Sequence, residues 1–483
     1  MAGRSQGRLV SELFRLGRTQ PELDFVNVNV DGDVQLYVDP FALSQRTDPW
    51  CRSAHETLIL FFQKVVDFIR SGQIGKAREL LGNLHEPNET RLGDSRSKPN
   101  GAGVGPGQAE DLLLALSSST AVKTGFLQHL EDCELMIDGV SRDKISDVTT
   151  NVIRSHLVRY TQSQCILWGI PMQEVALEPC FDDTQEAWAS AYHRAPVVDG
   201  VPLLLVPKVV VRRAPAYDHR KYYRQFVLEY LRAEHLSANT SLVKALKNGK
   251  RKVLIKDLES NYPCTKDFLF KFSRDHPSEL DRFRAELKHM EKRGPSAPVS
   301  REEEVVLADA LILGLGSIPT GPDRATEYHR IMVGILEFLF HPSLLNPSTE
   351  REIHEGRKRI DIVMENGASD GIFHRLNTVR HYPCPYVVIE CKNYTKDLAN
   401  PEFDQIAGRF SPLRGKVGFL CFRSVDDRTK LVASCRDHFT DDHGLIIPLD
   451  DATVMTLLRQ IRDSGRVELD RAVGRLVDEV WLN

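Results

Sequence analysis

Nine cysteines, at positions 51, 133, 165, 180, 264, 384, 391, 421 and 435, include no C-x-x-C pair, which argues against a zinc ribbon. An odd, dispersed set reads as reduced thiols and predicts a cytoplasmic location. No run of about 18 consecutive apolar residues occurs, so no membrane span is expected. The opening MAGRSQGRLVSELF lacks the apolar stretch of a signal peptide. Neither sign of charge dominates: 63 Lys and Arg stand against 67 Asp and Glu, for a formal net charge of -4. A globally basic nucleic-acid binder is excluded, and any such contact has to come from local patches.

The 483 residues are too many for one ordinary domain, and two to four units are expected. With 41% hydrophobic and 27% charged residues, the chain can bury more than one core without a disulfide or metal staple. Residues 24–43 alternate Val26, Val28, Val30 with polar residues, turn at Asp31-Gly32, then resume with Val34, Leu36 and Val38, which predicts a hairpin. A helical apolar period follows over roughly 52–84. Residues 86–110 are rich in Gly, Pro, Ser and Asn and read as a surface loop. Their glycines, 101, 103, 105 and 107, are not followed by Lys-Ser/Thr, so a phosphate-cradling loop is the weaker reading. An amphipathic helix is predicted over 139–168, a buried strand over 201–213 and a helix over 219–236. The segment 293–304, RGPSAPVSREEE, has linker composition. It divides a mixed α+β N-terminal region, 1–292, from a C-terminal α/β domain, 305–483.

The chemistry-bearing residues cluster beyond that linker. An apolar helix over 325–343 carries Glu327 in its first turn, and Asp361 stands in the β-like run Ile360–Met364. Tyr386 to Ile389 are strand formers, and Glu390 and Lys392 close the run. In a strand, residues i and i+2 point to one face, so Glu390 and Lys392 project together, Cα atoms roughly 6.5–7 Å apart. Two charges ending an apolar strand are costly if buried without purpose, and make sense at a cleft. Two carboxylates hold Mg²⁺ through hard oxygens, and a lysine orients water or neutralises developing charge.

These pieces resemble the PD-(D/E)xK, restriction-endonuclease-like nuclease superfamily over roughly residues 320–450. The matching residues are Glu327, Arg359-Ile360-Asp361, Ile389-Glu390-Cys391-Lys392, Asp404-Gln405 and the strand Val417–Phe422. No proline directly precedes Asp361, a position that varies in the superfamily. The resemblance implies an α/β fold whose C-terminal core is a mixed central sheet flanked by helices. It implies catalysis by Asp361, Glu390 and Lys392, with Glu327 and Gln405 as helpers. Asp361, Glu390 and the backbone carbonyl of Ile389 would be the metal ligands, for Mg²⁺ with Mn²⁺ as a substitute. IHEGRKRIDI and ECKNY…NPEFDQIAGRFSPLRGK are also similar to bacterial proteins of that superfamily, many of which serve restriction or anti-phage defence. The partners this implies are DNA, further copies of the chain in a homodimer or larger oligomer, and a defence-system protein.

Blander readings stand beside these. Glu327 is also what a helix first turn favours. Gln405 and Arg409, at i and i+4, suit a solvated face. Arg357, Lys358, Arg359, Arg409 and Arg414 are candidate DNA contacts or an ordinary basic surface. His329 and His354 are expected near the cleft, more often as bystanders than ligands. In the N-terminal region, Lys244 to Lys256 and Tyr217 to Arg224 form basic runs that suit nucleic acid or a solvated face. The alternative function is a regulatory nucleic-acid binder that keeps a nuclease-like fold without cleaving.

Overall fold

The computed structural model describes residues 8–93, 106–214, 216–246, 250–291, 300–349, 362–394, 398 and 400–482. The Asp48 carboxylate accepts from the Cys51 amide at 2.9 Å and opens helix α1, Pro49–Arg70, with Pro49 at its first position. Leu58, Phe61, Phe62, Val65, Val66 and Ile69 line its buried face. The single helix expected over 52–84 is two: the chain turns at Gly72, φ +75°, and α2 spans Ile74–Leu81. The 139–168 helix likewise breaks at Ile153 into α3, Arg142–Val152, and α4, Arg154–Trp168. Arg154, at the junction, is fully buried. It donates to Glu89 at 2.8 Å, to the Pro179 carbonyl at 3.0 Å and to Asn151 at 2.9 Å.

The hairpin expected over 24–43 does not form, although Val26, Val28, Val30 and Val38 are all buried. Their backbones pair elsewhere. Val26 donates to the Val206 carbonyl at 2.9 Å, and Val34 to that of Arg91 at 3.0 Å. Strand β1, Tyr37–Val38, pairs with β2, Val211–Arg212. Alternation specifies which side chains go inside; it does not name the partner strand. Within the run 201–213, Leu203 to Pro207 and Val209 to Arg212 are buried while Val201 and Arg213 are exposed, and the strands are Val201–Pro202 and Val211–Arg212. Between them, Leu204 donates to the Glu89 carbonyl at 2.8 Å and Leu205 to the Thr161 hydroxyl at 2.9 Å.

Residues 219–238 are helical throughout, with a π-helical stretch over Tyr223–Val227. They lead into an antiparallel ribbon, β3 (Val243–Ala245) with β4 (Arg251–Val253). Helices Ile255–Asn261, Lys266–Asp275 and Pro277–Glu291 follow. With α1 to α3 they enclose one apolar core, which includes Phe61, Val152, Tyr222, Phe270 and Phe283.

The C-terminal region is mixed α/β. Helix α5, Ala325–Phe340, leads into β5, Leu344–Ser348, then β6, Ile362–Asn366, and β7, Tyr386–Lys392. Helix α6, Asn400–Ala407, connects to β8, Val417–Phe422; α7, Arg428–Thr440, connects to β9, Leu445–Asp450. The five strands form one mixed sheet in sequence order: β5, β6 and β7 are antiparallel neighbours, and β8 and β9 run parallel to β7. Val387, Val388 and Ile389 are fully buried, as a central strand covered on both faces requires. Helices Asp451–Ser464 and Arg466–Trp481 close the chain.

The second apolar core combines this sheet with residues from the other side of the 293–304 segment. Val10, Leu23, Phe25, Leu157, Leu204 and Val210 share it with Leu336, Ile389 and Phe419. Polar contacts follow the same seam: Trp50 donates its amide to Glu365 at 2.8 Å, and Gln164 its side-chain amide to the Pro347 carbonyl at 2.9 Å. Among the described residues, no helix is long and apolar enough to cross a membrane.

Candidate active site at the end of the central strand

Strand β7 carries Glu390 and Lys392 on one face, as period-2 geometry dictates. Glu390 is 1% exposed. The Lys392 ammonium donates to Glu390 Oε1 at 2.7 Å and to Gln405 Oε1 at 2.9 Å. The Gln405 amide nitrogen also donates to Glu390 Oε1. Gln405 is presented by α6, whose Phe403 and Ile406 are buried and fix the helix against the sheet. The carboxylate, the ammonium and the amide form a closed set, so each holds the rotamers of the others. Below them β7 is locked in register on both sides, Ile389 opposite Ile362 of β6 and Glu390 opposite Leu420 of β8.

Neighbouring contacts stiffen the strand end. The Tyr394 hydroxyl donates to Glu402 at 2.7 Å, and burial pushes that phenol above its ordinary range. Asn393 donates to the carbonyls of Gly321 at 2.8 Å and Pro319 at 3.2 Å, tying the strand to the entry of α5. His329, one turn into α5, lies 3.3 Å from the Cys391 carbonyl through Nε2.

The remaining candidates are placed unequally. Asp361, Arg357, Lys358, Arg359 and His354 lie outside the described residues. Asp361 is the chain neighbour of Ile362, which pairs with Ile389, itself the neighbour of Glu390. Glu327 is half exposed and pairs with Arg324 at 3.0 Å, an i,i+3 contact within its own turn. Arg409 is 4% exposed. It sits beyond the helix rather than on a face shared with Gln405, because α6 ends at Ala407. The interior position keeps its guanidinium off the phosphate-accessible surface, and its carbonyl accepts from Arg414 at 3.4 Å.

A second polar cluster lies in the shared core. One ligand-type atom from each of Asp24, Glu337 and His341 lies within 4.8 Å of the others. Burial raises Asp24, pushes Glu337 up to about 8 and drives His341 well down. Lys208 supplies positive charge there, 2.9 Å from Glu337 and 2.6 Å from the Leu23 carbonyl it donates to. Asp24 accepts from the Tyr160 hydroxyl at 2.6 Å and from the Asn346 amide at 3.2 Å. Both Asp24 oxygens already accept hydrogen bonds and Lys208 pairs with Glu337, so the cluster reads as a structural weld. Its members come from segments 24, 160, 208, 337 and 341, which no local pattern connects.

Residues 15–218 match the model of a family described as a domain of unknown function, DUF8370. No curated protein and no solved structure matches the chain.

Proposed function

We propose that the C-terminal region is a metal-dependent nuclease that hydrolyses phosphodiester bonds in DNA, with Asp361, Glu390 and Lys392 as its catalytic groups. The observation that carries this reading is the convergence of Lys392 and Gln405 on the buried carboxylate of Glu390 at the end of β7. A carboxylate and an amine held this way, in a sheet whose elements run helix, strands, helix, strand, support the resemblance to the PD-(D/E)xK superfamily.

The donor chemistry fits Mg²⁺. Glu390, Asp361 and the Ile389 carbonyl offer hard oxygens, with no thiolate or imidazole in the set. Once bound, the ion would supply a hydroxide-like nucleophile and neutralise charge on the phosphate. Lys392 is held by Gln405 and Glu390 where its ammonium can orient the attacking water or balance the developing negative charge. Gln405 acts through Lys392 and is a positioning residue. Service in restriction or anti-phage defence, with a second copy or a defence protein as partner, belongs to the same proposal.

The test is incubation of the purified chain with plasmid, linear and single-stranded DNA in Mg²⁺, beside Lys392→Ala and an EDTA control. Cleavage is expected in the wild type and absent in both controls. Cleavage that survives chelation, or is undiminished in Lys392→Ala, sinks the assignment.

A further inference from the structure

The ribbon β3–β4 is short, yet its surface is costly to build. In register, Lys244 lies opposite Lys252, Val243 opposite Val253 and Ala245 opposite Arg251. The Leu246 amide donates to the Lys250 carbonyl at 2.8 Å, which carries the pairing one step further. Residues opposite each other share a face, so Lys244, Leu246, Lys250 and Lys252 lie on one side. Val243, Ala245, Arg251 and Val253 lie on the other. Val253 is 2% exposed and anchors that second face in the N-terminal core. Leu246, on the lysine face, is 36% exposed and sets an apolar side chain among the lysines.

Like charges directly opposite on a two-stranded ribbon are destabilising. Lys256 follows shortly in sequence, and Asp257 pairs with Lys244. Arg251, on the opposite face, donates to the side chain of Asn239 at 3.0 Å. A net-positive ribbon face is complementary to a polyanion whose charges are closely and regularly spaced. Duplex DNA presents one phosphate per about 1.7 Å of axis, while three strand residues span about 10 Å, so the face covers several phosphates.

We propose that this ribbon grips the phosphate backbone of double-stranded DNA. The inference rests on the nuclease reading above for its choice of polyanion, and places substrate retention on a part of the chain separate from the catalytic strand. The lysines act as backbone contacts, without reading sequence.

The experiment is fluorescence anisotropy of the full chain with a labelled 30-base-pair duplex. EDTA prevents hydrolysis, and NaCl is varied from 50 to 200 mM, values set by the roughly 0.05–0.2 M range over which counterion release is read. Lys244→Gln/Lys252→Gln is expected to weaken binding about 10-fold at the lowest salt. It should also flatten the log K against log salt slope by about 2, one for each lost phosphate contact. Lys244→Arg/Lys252→Arg should restore both. Far-UV circular dichroism of the glutamine double variant should match that of the wild type, showing that the fold is kept. Equal affinity and slope for wild type and the glutamine variant overturn the proposal. So does wild-type binding to phosphatidylserine vesicles but not to DNA. Plasmid cleavage by a wild type whose glutamine variant still binds normally sinks the ribbon alone. Ribbon-dependent binding by a chain that cleaves nothing in Mg²⁺ or Mn²⁺ sinks the nuclease reading alone.

Discussion

Glu131 offers a sharp test of how burial sets proton affinity in this chain. It is 5% exposed in the N-terminal region and is followed by Asp132, which Arg284 grips at 2.8 and 2.9 Å. Burial, then the neighbouring Asp132 carboxylate, pushes Glu131 up to about 8 from an ordinary 4.5. The folded state therefore keeps this proton to higher pH than the unfolded chain does. Stability from the group is fully present below the unfolded value and is lost as pH rises through the folded one. Between pH 5 and 8, each about 1.4 kcal/mol per unit, the loss sums to about 4 kcal/mol. Glu131→Gln mimics the protonated acid and lacks the titration. Urea unfolding followed by circular dichroism, at steps from about pH 5 to pH 9, should show the two proteins alike at the acid end. The variant should be the more stable at the alkaline end by roughly that amount. Parallel curves for the two would refute the reasoning, because they would mean that Glu131 titrates as an exposed carboxylate does.

Three further outcomes are expected. Glu390→Ala should abolish Mg²⁺-dependent cleavage of DNA with little change in circular dichroism; full activity in that variant would remove Glu390 from the chemistry. Gln405→Ala should fold normally and lower the cleavage rate by roughly 10–100-fold, as the loss of a ligand-orienting partner does; an unchanged rate would make the Lys392–Gln405 contact incidental. Arg154→Leu should destabilise the protein by about 3–5 kcal/mol in urea titration, since Glu89 is left with its buried partner gone. A loss below about 1 kcal/mol would show that water replaces the guanidinium.

In the C-terminal region the helix over 325–343 and the strands over 386–392 and 417–422 were legible because each is specified locally, whereas β5, β9 and the helices after Phe422 were not singled out. Tyr386 to Ile389 are strand formers over one unbroken run, and the apolar period of 325–343 ends within three residues of Phe340. The shared side of Glu390 and Lys392 follows from period 2 alone. Arg409 was misread as a face-mate of Gln405 because helix spacing says nothing about where a helix stops; α6 ends two residues too early. Glu327 is placed where its first-turn position put it, with Arg324 as the partner the spacing allows. The N-terminal region resisted because its backbone bonds are long-range, Val26 with Val206 and Tyr37 with Arg212. Burial of those valines was readable from their alternation, and their partners were not. The Lys208–Glu337 weld was hidden for the same reason, since its members are more than a hundred residues apart.

The contact between Asp24 and the Asn346 amide closes a loop of 322 residues. During synthesis, Val10, Leu23 and Phe25 leave the ribosome long before the sheet that shields them has been translated. The nascent chain must therefore carry an unshielded apolar edge for most of its elongation, at the roughly 5–20 residues per second of translation. A transcript cut short after residue 300 would release that edge into the cell, and chaperone dependence of the growing polypeptide follows from where its first strandlike residues end up.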